Sequence, residues 1–205
     1  MKTQILTENY FEIAKNIIEN DEVFAFPTDT VYGLACSCFS EKAINKIYQI
    51  KGRDFNKALI VMIPKNYDLD NLVKNISQNA KKLMNKFWPG ALTIIFTSKN
   101  IISKNATAGL DTIGIRIPNL QSTIDLINYI NIPLCTTSAN ISGKDSPISA
   151  QEVLSYFNNQ IPLIIDKGVC NEQIPSTIVD LSSSMVKILR VGSISEKEIF
   201  DTLSN

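Results

Sequence analysis

Three basic residues, Lys51, Arg53 and Lys57, lie close together in the segment Lys-Gly-Arg-Asp-Phe-Asn-Lys, directly before the apolar stretch 58–63. A guanidinium can bind two anionic oxygens at once, lysines add point charge, and a glycine between cations lets the backbone approach an anion closely. This pattern is typical of a phosphate site at the end of a strand. A solvated basic loop is the alternative, and for one such cluster alone it is the commoner case.

Two hydroxyl-rich segments offer a second kind of chemistry. Pro-Thr-Asp-Thr-Val-Tyr-Gly at 27–33 and Thr-Thr-Ser-Ala-Asn-Ile-Ser-Gly at 136–143 each follow an apolar run. Small hydroxyls and amides at strand ends suit a polar ligand, because open α/β sheets bind ligands there. Turn formation is the alternative, since these side chains also bind nearby backbone groups. Neither the P-loop pattern nor G-x-G-x-x-G occurs, so neither of those phosphate sites is predicted.

Two arginines belong to apolar strand patterns. Arg116 alternates with isoleucines in the segment 113–118, and Arg190 directly follows the segment 186–189. A guanidinium on an otherwise apolar strand needs an anion, which a carboxylate of the protein or of a ligand can supply. The sequence leaves both partners open for Arg116. For Arg190, a surface position is the simpler interpretation.

Composition excludes several classes of function. The 205 residues carry 20 basic and 20 acidic side chains, so overall charge does not favour tight, salt-sensitive binding of nucleic acid. Histidine is absent, which removes the commonest general base, the Ser-His and Cys-His nucleophile pairs and the commonest zinc ligand. We therefore expect any contact with RNA to be local, and no zinc, haem or flavin.

The cysteines and the N-terminal segment bear on where the protein acts. Cys36, Cys38, Cys135 and Cys170 form no C-x-x-C pair, so we expect reduced, mostly buried thiols. The first eight residues include polar residues throughout, and no later run approaches the roughly 18 uncharged apolar residues of a membrane span. We expect a cytoplasmic protein without a membrane partner.

Helical and strand patterns alternate along the chain. The predicted helices are 10–18, capped by Thr7, then 40–48, 77–87, 120–129, 149–158 and a terminal helix from 195. The last two begin with capping boxes, in which a serine precedes a glutamate by three residues. The predicted strands are 23–26, 59–63, 91–97, 113–117, 133–137, 163–165, 177–181 and 186–189.

This alternation, without internal repeats or a linker rich in glycine, serine or proline, predicts one α/β domain over residues 1–205. The last three strands are closely spaced, which favours some antiparallel pairing in a mixed sheet. The turn Trp-Pro-Gly at 88–90 is interpreted as structural. A helix face with Lys81, Lys82 and Lys86, and nearby Lys74, is interpreted as solvated, with contact to tRNA as the alternative.

Six short motifs together resemble one family. They are P-T-D-T-V-Y-G at 27–33, K-G-R-x-x-x-K at 51–57, F-W-P-G at 87–90, I-R-I-P at 115–118, T-S-A-N-I-S-G at 137–143 and P-S-T-I-V-D at 175–180. In order and spacing over about residues 22–192 they are similar to the YrdC/TsaC family of threonylcarbamoyl-AMP synthases. The resemblance implies a single α/β domain, with a twisted mixed sheet flanked by helices around a positively lined cleft.

The implied reaction is the condensation of L-threonine, bicarbonate and ATP into threonylcarbamoyl-AMP and pyrophosphate. The product is the donor for threonylcarbamoyladenosine in tRNA, so tRNA and the downstream threonylcarbamoyl-transferase machinery are further partners to consider. ATP would be a substrate together with Mg²⁺, and the resemblance implies no metal ligand from the protein. We also expect the chain to lack the C-terminal domain of the longer relatives.

The resemblance also implies roles for individual residues. A signature tetrad, assigned to catalysis, corresponds to Lys51, Arg53, Ser138 and Asn140. Contacts with ATP are implied for Arg53, Lys57, Thr112, Ser138, Ser146 and Arg190. Contacts with L-threonine are implied for Thr30, Arg116, Thr136 and Ser176. The amine of threonine must lose a proton, for which water, a substrate oxygen or Asp29 are the candidates.

The sequence departs from the family pattern at four positions. Met62 stands where some relatives carry a histidine, and Ala58 stands in place of a frequent proline. Val191 interrupts the usual Leu-Arg-Pro-Gly, and Pro175 stands where a glutamate often precedes Ser-Thr. The last change weakens any role of that segment in metal binding.

Two other functions compete with the synthase. The first is a non-catalytic binder of tRNA or double-stranded RNA that uses the same cleft, which the balanced charge disfavours. The second is a carbamoyl-adenylate module of the hydrogenase-maturation kind, which uses carbamoyl phosphate. Such modules usually belong to much longer chains with zinc-finger cysteines, and this sequence shows neither feature.

Overall fold

The computed structural model describes residues 2–204, which form one ten-stranded sheet and its flanking helices. The helices are α1 (Phe11–Glu19), α2 (Glu41–Lys51), α3 (Gln78–Phe87), α4 (Gln121–Ile130), α5 (Ala150–Phe157) and α6 (Glu196–Ser204), with a short 3-10 helix at Leu69–Asn71. The strands are β1 (Gln4–Leu6), β2 (Phe24–Phe26), β3 (Gly33–Ser37), β4 (Ile60–Met62), β5 (Leu92–Thr97), β6 (Thr112–Arg116), β7 (Leu134–Ser138), β8 (Leu163–Ile165), β9 (Thr177–Asp180) and β10 (Lys187–Arg190).

The sheet is mixed, as predicted, with the strand order β1-β8-β2-β3-β7-β4-β6-β5-β9-β10. Parallel pairs are β1 with β8, β8 with β2, β4 with β6, and β5 with β9, and the other pairs are antiparallel. Of the last three strands, β9 and β10 pair antiparallel, whereas β8 lies towards the opposite end of the sheet. Within residues 2–204, no helix has the length and apolar character that crossing a bilayer requires.

Strand alternation divides the apolar side chains between two cores. The larger core packs α2, α3, α5 and α6 against one face of the sheet and includes Ala25, Leu34, Val61, Ile94 and Ile115. The smaller core packs α1 and α4 against the other face and includes Phe24, Phe26, Ala35, Met62 and Leu134. Beyond Met62 on this second face, the side chains of Ile60, Ile95 and Ile178 are half-buried, so the face opens there.

Register places polar side chains on this open face. Thr136 of β7 lies opposite Ile60, and Arg116 of β6 lies opposite Met62. Because side chains at every second position share a face, Ser138, Thr136 and Arg116 all project to the same side as Ile60 and Met62. The central strands therefore bring the motif at 115–118 and the hydroxyl-rich segment at 136–143 together.

Most predicted elements are confirmed, and three details differ. Strands β1 and β3 were not predicted. Thr7 does not cap α1, which begins after Tyr10 without a side-chain cap. The capping box at α6 is confirmed, because Ser195 and Glu198 bind each other's backbone amides. At α5, Ser149 caps the amide of Glu152, but Glu152 accepts from the amide of Ile148 instead of from that of Ser149.

The four cysteines are buried free thiols, as expected. Cys36 lies opposite Cys135 in the β3–β7 register, and the Sγ atoms of Cys38 and Cys135 are 3.1 Å apart. Burial raises the pKa of Cys36 and Cys38 well above the usual value, and raises that of Cys170 to about 11. Such thiols are poor nucleophiles, because the thiolate is the reactive form.

Candidate active site

A cavity of about 190 Å³ opens on the uncovered part of the sheet. Eight residues that the sequence pointed to line it: Thr30, Arg53, Arg116, Thr136, Ser138, Ser146, Ser176 and Arg190. They come from the loop after β2, the loop after α2, strands β6, β7 and β10, and the segments beside β7 and β9. No aspartate or glutamate is among the described residues that line this cavity.

Arg116 is held by three acceptors. Its Nε donates to the carbonyl of Gly90 at 2.9 Å, its Nη1 donates to Oγ1 of Thr30 at 2.9 Å, and its Nη2 donates to Oδ1 of Asp29 at 2.6 Å. Burial lowers the pKa of Arg116, and the adjacent Asp29 acts in the opposite direction. The protein therefore supplies a carboxylate. A guanidinium has five N–H groups, so one on each terminal nitrogen has no acceptor within residues 2–204 and could bind a ligand.

Arg53 and Arg190 are held by neutral acceptors. Arg53 donates through Nε to the carbonyl of Lys57 at 3.0 Å and through Nη2 to that of Ala58 at 2.8 Å. Arg190 donates through Nε to the carbonyl of Ser176 at 2.9 Å and through Nη2 to its Oγ at 3.2 Å. Arg190 is solvent-exposed, as the simpler interpretation had it, but it also lines the cavity.

These two guanidiniums carry uncompensated charge. Among residues 2–204, the ion pairs closer than 4 Å are Lys46 with Glu22 and Arg116 with Asp29. Partial burial of the guanidinium lowers the pKa of Arg53 and of Arg190, and the positive charges of Arg116 and Arg53 add to the effect on Arg190. Three cations thus act on one small space, and only Arg116 is paired with a carboxylate.

Lys51 is buried and does not line the cavity. Its Nζ donates to the carbonyls of Ser138 and Asn140, both at 2.5 Å, and lies 3.5 Å from Oδ1 of Asn140. Ser138 in turn donates its hydroxyl to Oδ1 of Asn140 at 2.5 Å. Burial and the nearby Arg53 lower the pKa of Lys51 to about 7. Lys51 therefore positions the turn at 138–140 from beneath, and Asn140 also lies outside the lining.

Gly52 explains how neighbouring cations come to differ. It ends α2 in the left-handed conformation at φ +56°, which glycine adopts without strain. Its role is to turn the chain, so that Lys51 faces inward and Arg53 reaches the cavity. The side chain of Lys57 is exposed, and its carbonyl accepts from Arg53 and from the Tyr48 hydroxyl. The three cations of this segment therefore have different surroundings.

Thr112 is the remaining predicted site residue outside the lining. It begins β6, four residues before Arg116, and lies on the same face of the sheet. At about 3.3 Å per residue, the two lie roughly 13 Å apart along the strand. Thr112 therefore lies at the far end of the open face, where its side chain is half-buried.

The segment 27–33 forms a turn, as one of its two interpretations has it, and it also borders the cavity. Oγ1 of Thr28 accepts from the backbone amides of Thr30 and Val31 and donates to the carbonyl of Val31, which stabilises the turn. Thr28 and Thr30 also line the cavity. Asp29, considered as a base, does not line it and is instead the counter-ion of Arg116.

Three residues contribute to the site without having been singled out for it. Gly90 accepts from Arg116, which gives the turn at 88–90 a part in orienting the guanidinium. Gly192 passes so close to the chain that a Cβ there would lie 2.0 Å from the carbonyl oxygen of Pro175. Thr93 contacts Ser176 across the sheet. The first two lie in motifs that the sequence marks, whereas Thr93 lies within a predicted apolar strand.

Two lysines of the helix face that was interpreted as solvated make hydrogen bonds within the protein. Lys82 donates to the carbonyl of Leu203 and Lys86 to the hydroxyl of Thr202, so these lysines contact the end of α6. Their side chains thus have a structural role.

Within residues 2–204, no group of three or more His, Cys, Asp or Glu side chains could hold a metal ion.

The geometry can be compared with known proteins. A family model for the Sua5/YciO/YrdC domain, described as "Telomere recombination", matches residues 16–192. The chain belongs to this family. The resemblance seen in the six motifs is therefore confirmed.

Relatives and a solved structure of this Sua5/YciO/YrdC family extend the comparison. The chain is 37% identical over 187 residues to a threonylcarbamoyl-AMP synthase of Pyrococcus abyssi, covering 91% of this chain and 55% of the relative. It is 38% identical over 200 residues to that of Bacillus subtilis, covering 96% and 58%. The chain thus spans little more than half the length of these relatives.

The fold of this family member is also confirmed. The structure of P. abyssi Sua5 complexed with L-threonine matches with a TM-score of 0.93 and 34% identity, over 98% of this chain and 61% of that chain. The mixed sheet and its flanking helices are therefore those of a YrdC-like domain.

Proposed function

We propose that this protein is a threonylcarbamoyl-AMP synthase, which condenses L-threonine, bicarbonate and ATP into threonylcarbamoyl-AMP and pyrophosphate. The observation that carries the proposal is the charge of the cavity. Arg53 and Arg190 face it without a carboxylate partner among the described residues, beside a third guanidinium whose two remaining N–H groups are free. Two relatives named as this synthase and a homologous structure complexed with L-threonine support it.

Size and polarity favour the amino acid for the cavity itself. Its volume of about 190 Å³ is below the roughly 300–1,000 Å³ usual for larger ligands. Arg116 binds the carboxylate of threonine through its two free N–H groups, while Thr30, Thr136 and Ser176 contact the polar groups of the substrate. Met62 and Ile60 add apolar surface to the wall.

ATP extends from the cavity over the open face of the sheet. Arg53 and Arg190 lie where the phosphates approach the amino acid, with Ser138 and Ser146 beside them. Gly114 has no side chain and lies between Ile60 and Ile95 in the register, so it leaves a shallow floor that leads towards Thr112. This path accounts for the role that the resemblance implies for Thr112, and the exposed Lys57 can reach phosphates at the mouth.

The chemistry requires positioning and charge neutralisation. The amine of threonine attacks bicarbonate, which releases water and leaves a carbamate. An oxygen of the carbamate then attacks the α-phosphorus of ATP, the bond to the β-phosphate breaks, and pyrophosphate leaves. Arg53 and Arg190 stabilise the charge that develops on the departing phosphates. Because Asp29 is engaged by Arg116, the amine proton passes to water or a substrate oxygen.

Mg²⁺ enters with the nucleotide in this proposal. The described residues offer no cluster of carboxylates for it, so oxygens of the triphosphate bind the ion, as is common in phosphoryl-transfer sites. The product serves the threonylcarbamoyl-transferase machinery that modifies tRNA. These substrates and tRNA meet in the cytoplasm, where we propose that the protein acts.

Pyrophosphate release tests the proposal. The purified chain is incubated with ATP, bicarbonate and L-threonine, and with carbamoyl phosphate in place of the last two. Release that depends on threonine and bicarbonate, and that falls at least tenfold in Arg53→Gln, is the expected result. Release that depends on carbamoyl phosphate would indicate a carbamoyl-adenylate module instead. Absence of threonine-dependent release, with Lys51→Ala indistinguishable from wild type, would show that the chain is not this synthase.

A further inference from the structure

Thr93 lies directly behind the cavity and has no assigned role. It belongs to β5, its side chain is fully buried, and its Oγ1 lies 2.9 Å from Oγ of Ser176. No other side-chain hydrogen bond of Thr93 is found among residues 2–204. Ser176 lines the cavity, whereas Thr93 does not. Any influence of Thr93 on a ligand must therefore pass through Ser176.

The position of the hydroxyl protons follows from counting donors and acceptors. A hydroxyl has one proton to donate and two lone pairs that can accept. Arg190 donates Nη2–H to Oγ of Ser176 at 3.2 Å, which occupies one lone pair. The buried Thr93 hydroxyl finds an acceptor for its proton only in Ser176, and donating it occupies the second lone pair. The proton of Ser176 is then left to point into the cavity.

The opposite arrangement costs more. If Ser176 donated to Thr93, the proton of a fully buried hydroxyl would have no acceptor within the described residues. Leaving a buried donor unsatisfied is disfavoured. We propose that Thr93 is a positioning residue, which makes Ser176 a hydrogen-bond donor towards an acceptor oxygen of the amino-acid substrate. This inference rests on the proposed function.

The hydroxyl of Thr30 has no such fixed polarity. It accepts from Nη1 of Arg116 and lies 2.9 Å from Oγ1 of Thr28. Oγ1 of Thr28 already accepts from the amides of Thr30 and Val31 and lies 2.7 Å from the carbonyl of Val31. Because either hydroxyl of this pair can be the donor, counting does not assign the proton of Thr30.

Thr136 has the polarity opposite to that of Ser176, because its proton goes to the carbonyl of Ile60 at 3.2 Å. The cavity thus presents an acceptor at Thr136 and a donor at Ser176. A substrate with both an amine or hydroxyl and an anionic oxygen matches this arrangement. Thr93 is what gives Ser176 the opposite polarity.

Four variants test the inference by steady-state kinetics of pyrophosphate release. Thr93→Val removes the hydroxyl with little change in shape, and Thr93→Ser retains it. We expect Thr93→Val to raise KM for L-threonine about tenfold, the order of one oriented hydrogen bond, with KM for ATP within about twofold. Thr93→Ser should restore KM to within about twofold of wild type. In a Ser176→Ala background, adding Thr93→Val should have little further effect.

Thr3→Val is the control for loss of a buried hydroxyl. Thr3 donates to the carbonyl of Ile161 at 2.7 Å, far from the cavity in the fold. This variant should lower stability without changing KM for threonine. The inference is overturned if Thr93→Val leaves KM for threonine unchanged, raises both KM values equally, or adds its full effect to Ser176→Ala. Wild-type protein that neither binds nor uses L-threonine would overturn the proposed function as well.

Discussion

Nη2 of Arg116 and Oδ1 of Asp29 lie 2.6 Å apart in an ion pair whose side chains are only 4% and 9% exposed. The guanidinium is part of the cavity wall, whereas the carboxylate does not line the cavity. The pair therefore neutralises the buried cation from one side and leaves the other side free for an anionic ligand. In the proposed function, this pair would link the stability of the domain to the binding of the amino acid.

Removal of the cation alone should strongly destabilise the protein. In Arg116→Met, the carboxylate of Asp29 remains buried without its partner, and we expect the free energy of unfolding to fall by about 3–5 kcal/mol. Urea denaturation, followed by circular dichroism, measures this loss. The double variant Arg116→Met/Asp29→Asn should recover part of the stability because no buried charge is left. A double variant that loses the sum of the two single effects would contradict this account.

Arg190 should contribute to nucleotide binding much more than another cation of the same strand. We expect Arg190→Gln to weaken ATP binding at least tenfold, because a guanidinium without a carboxylate partner then no longer faces the phosphates. Titration calorimetry measures the dissociation constant. Lys187→Gln is the matched control, since Lys187 is an exposed residue at the other end of β10. Equal losses in both variants would indicate a general effect of surface charge.

Nucleotide binding should be accompanied by proton uptake above pH 7. The pKa of Lys51 is lowered to about 7, so at pH 8 most of the free protein carries this lysine neutral. A polyanion nearby favours the charged ammonium and raises this pKa, so the complex takes up a proton. The affinity for ATP should therefore fall as pH rises from 7, by at most about tenfold per pH unit.

Calorimetry in buffers of different ionisation enthalpy measures the number of protons taken up. Because ATP itself titrates, the informative quantity is the difference between wild type and Lys51→Met, which has no ammonium at this position. The chain contains no histidine, so few other side chains titrate near neutral pH. The same proton uptake in both proteins would exclude Lys51 as its source.

Two glycine variants should differ in stability for separate reasons. A Cβ at Gly192 would lie 2.0 Å from the carbonyl oxygen of Pro175, so Gly192→Ala must displace the backbone beside Ser176. We expect a loss of at least about 2 kcal/mol, together with weaker threonine binding. A Cβ at Gly52 would meet no atom within 4 Å, and only the positive φ opposes Gly52→Ala, at about 1 kcal/mol. Thermal unfolding would rank the two, and the reverse order would contradict the explanation.

Periodicity and capping patterns predicted most of the fold, since they depend on local sequence. Ser40 and Ser77 cap α2 and α3, which therefore begin next to the starts predicted at residues 40 and 77. Strand β3 was missed because it is buried on both faces and begins within a segment whose proline and hydroxyl residues favour a turn. Strand β1 was missed because it has three residues and pairs at the edge with a strand more than 150 residues away.

The members of the site were easier to predict than their separate roles. Motifs at strand ends indicated Arg53, Arg116 and Ser138, because strand direction brings such ends together. The burial of Lys51 beneath the 138–140 turn depends on a contact across 87 residues, which no local pattern shows. The same is true of Thr93, whose partner Ser176 is 83 residues away.

Buried thiols of this protein can report how often its central strands separate. Cys36 and Cys135 are enclosed within β3 and β7, so an alkylating reagent can reach these two thiols only when the strands separate from their surroundings. The segments 27–33 and 136–143, which contribute to the lining of the cavity, lie at the ends of these two strands. The rate of alkylation would thus record how often the central strands part, without any added label.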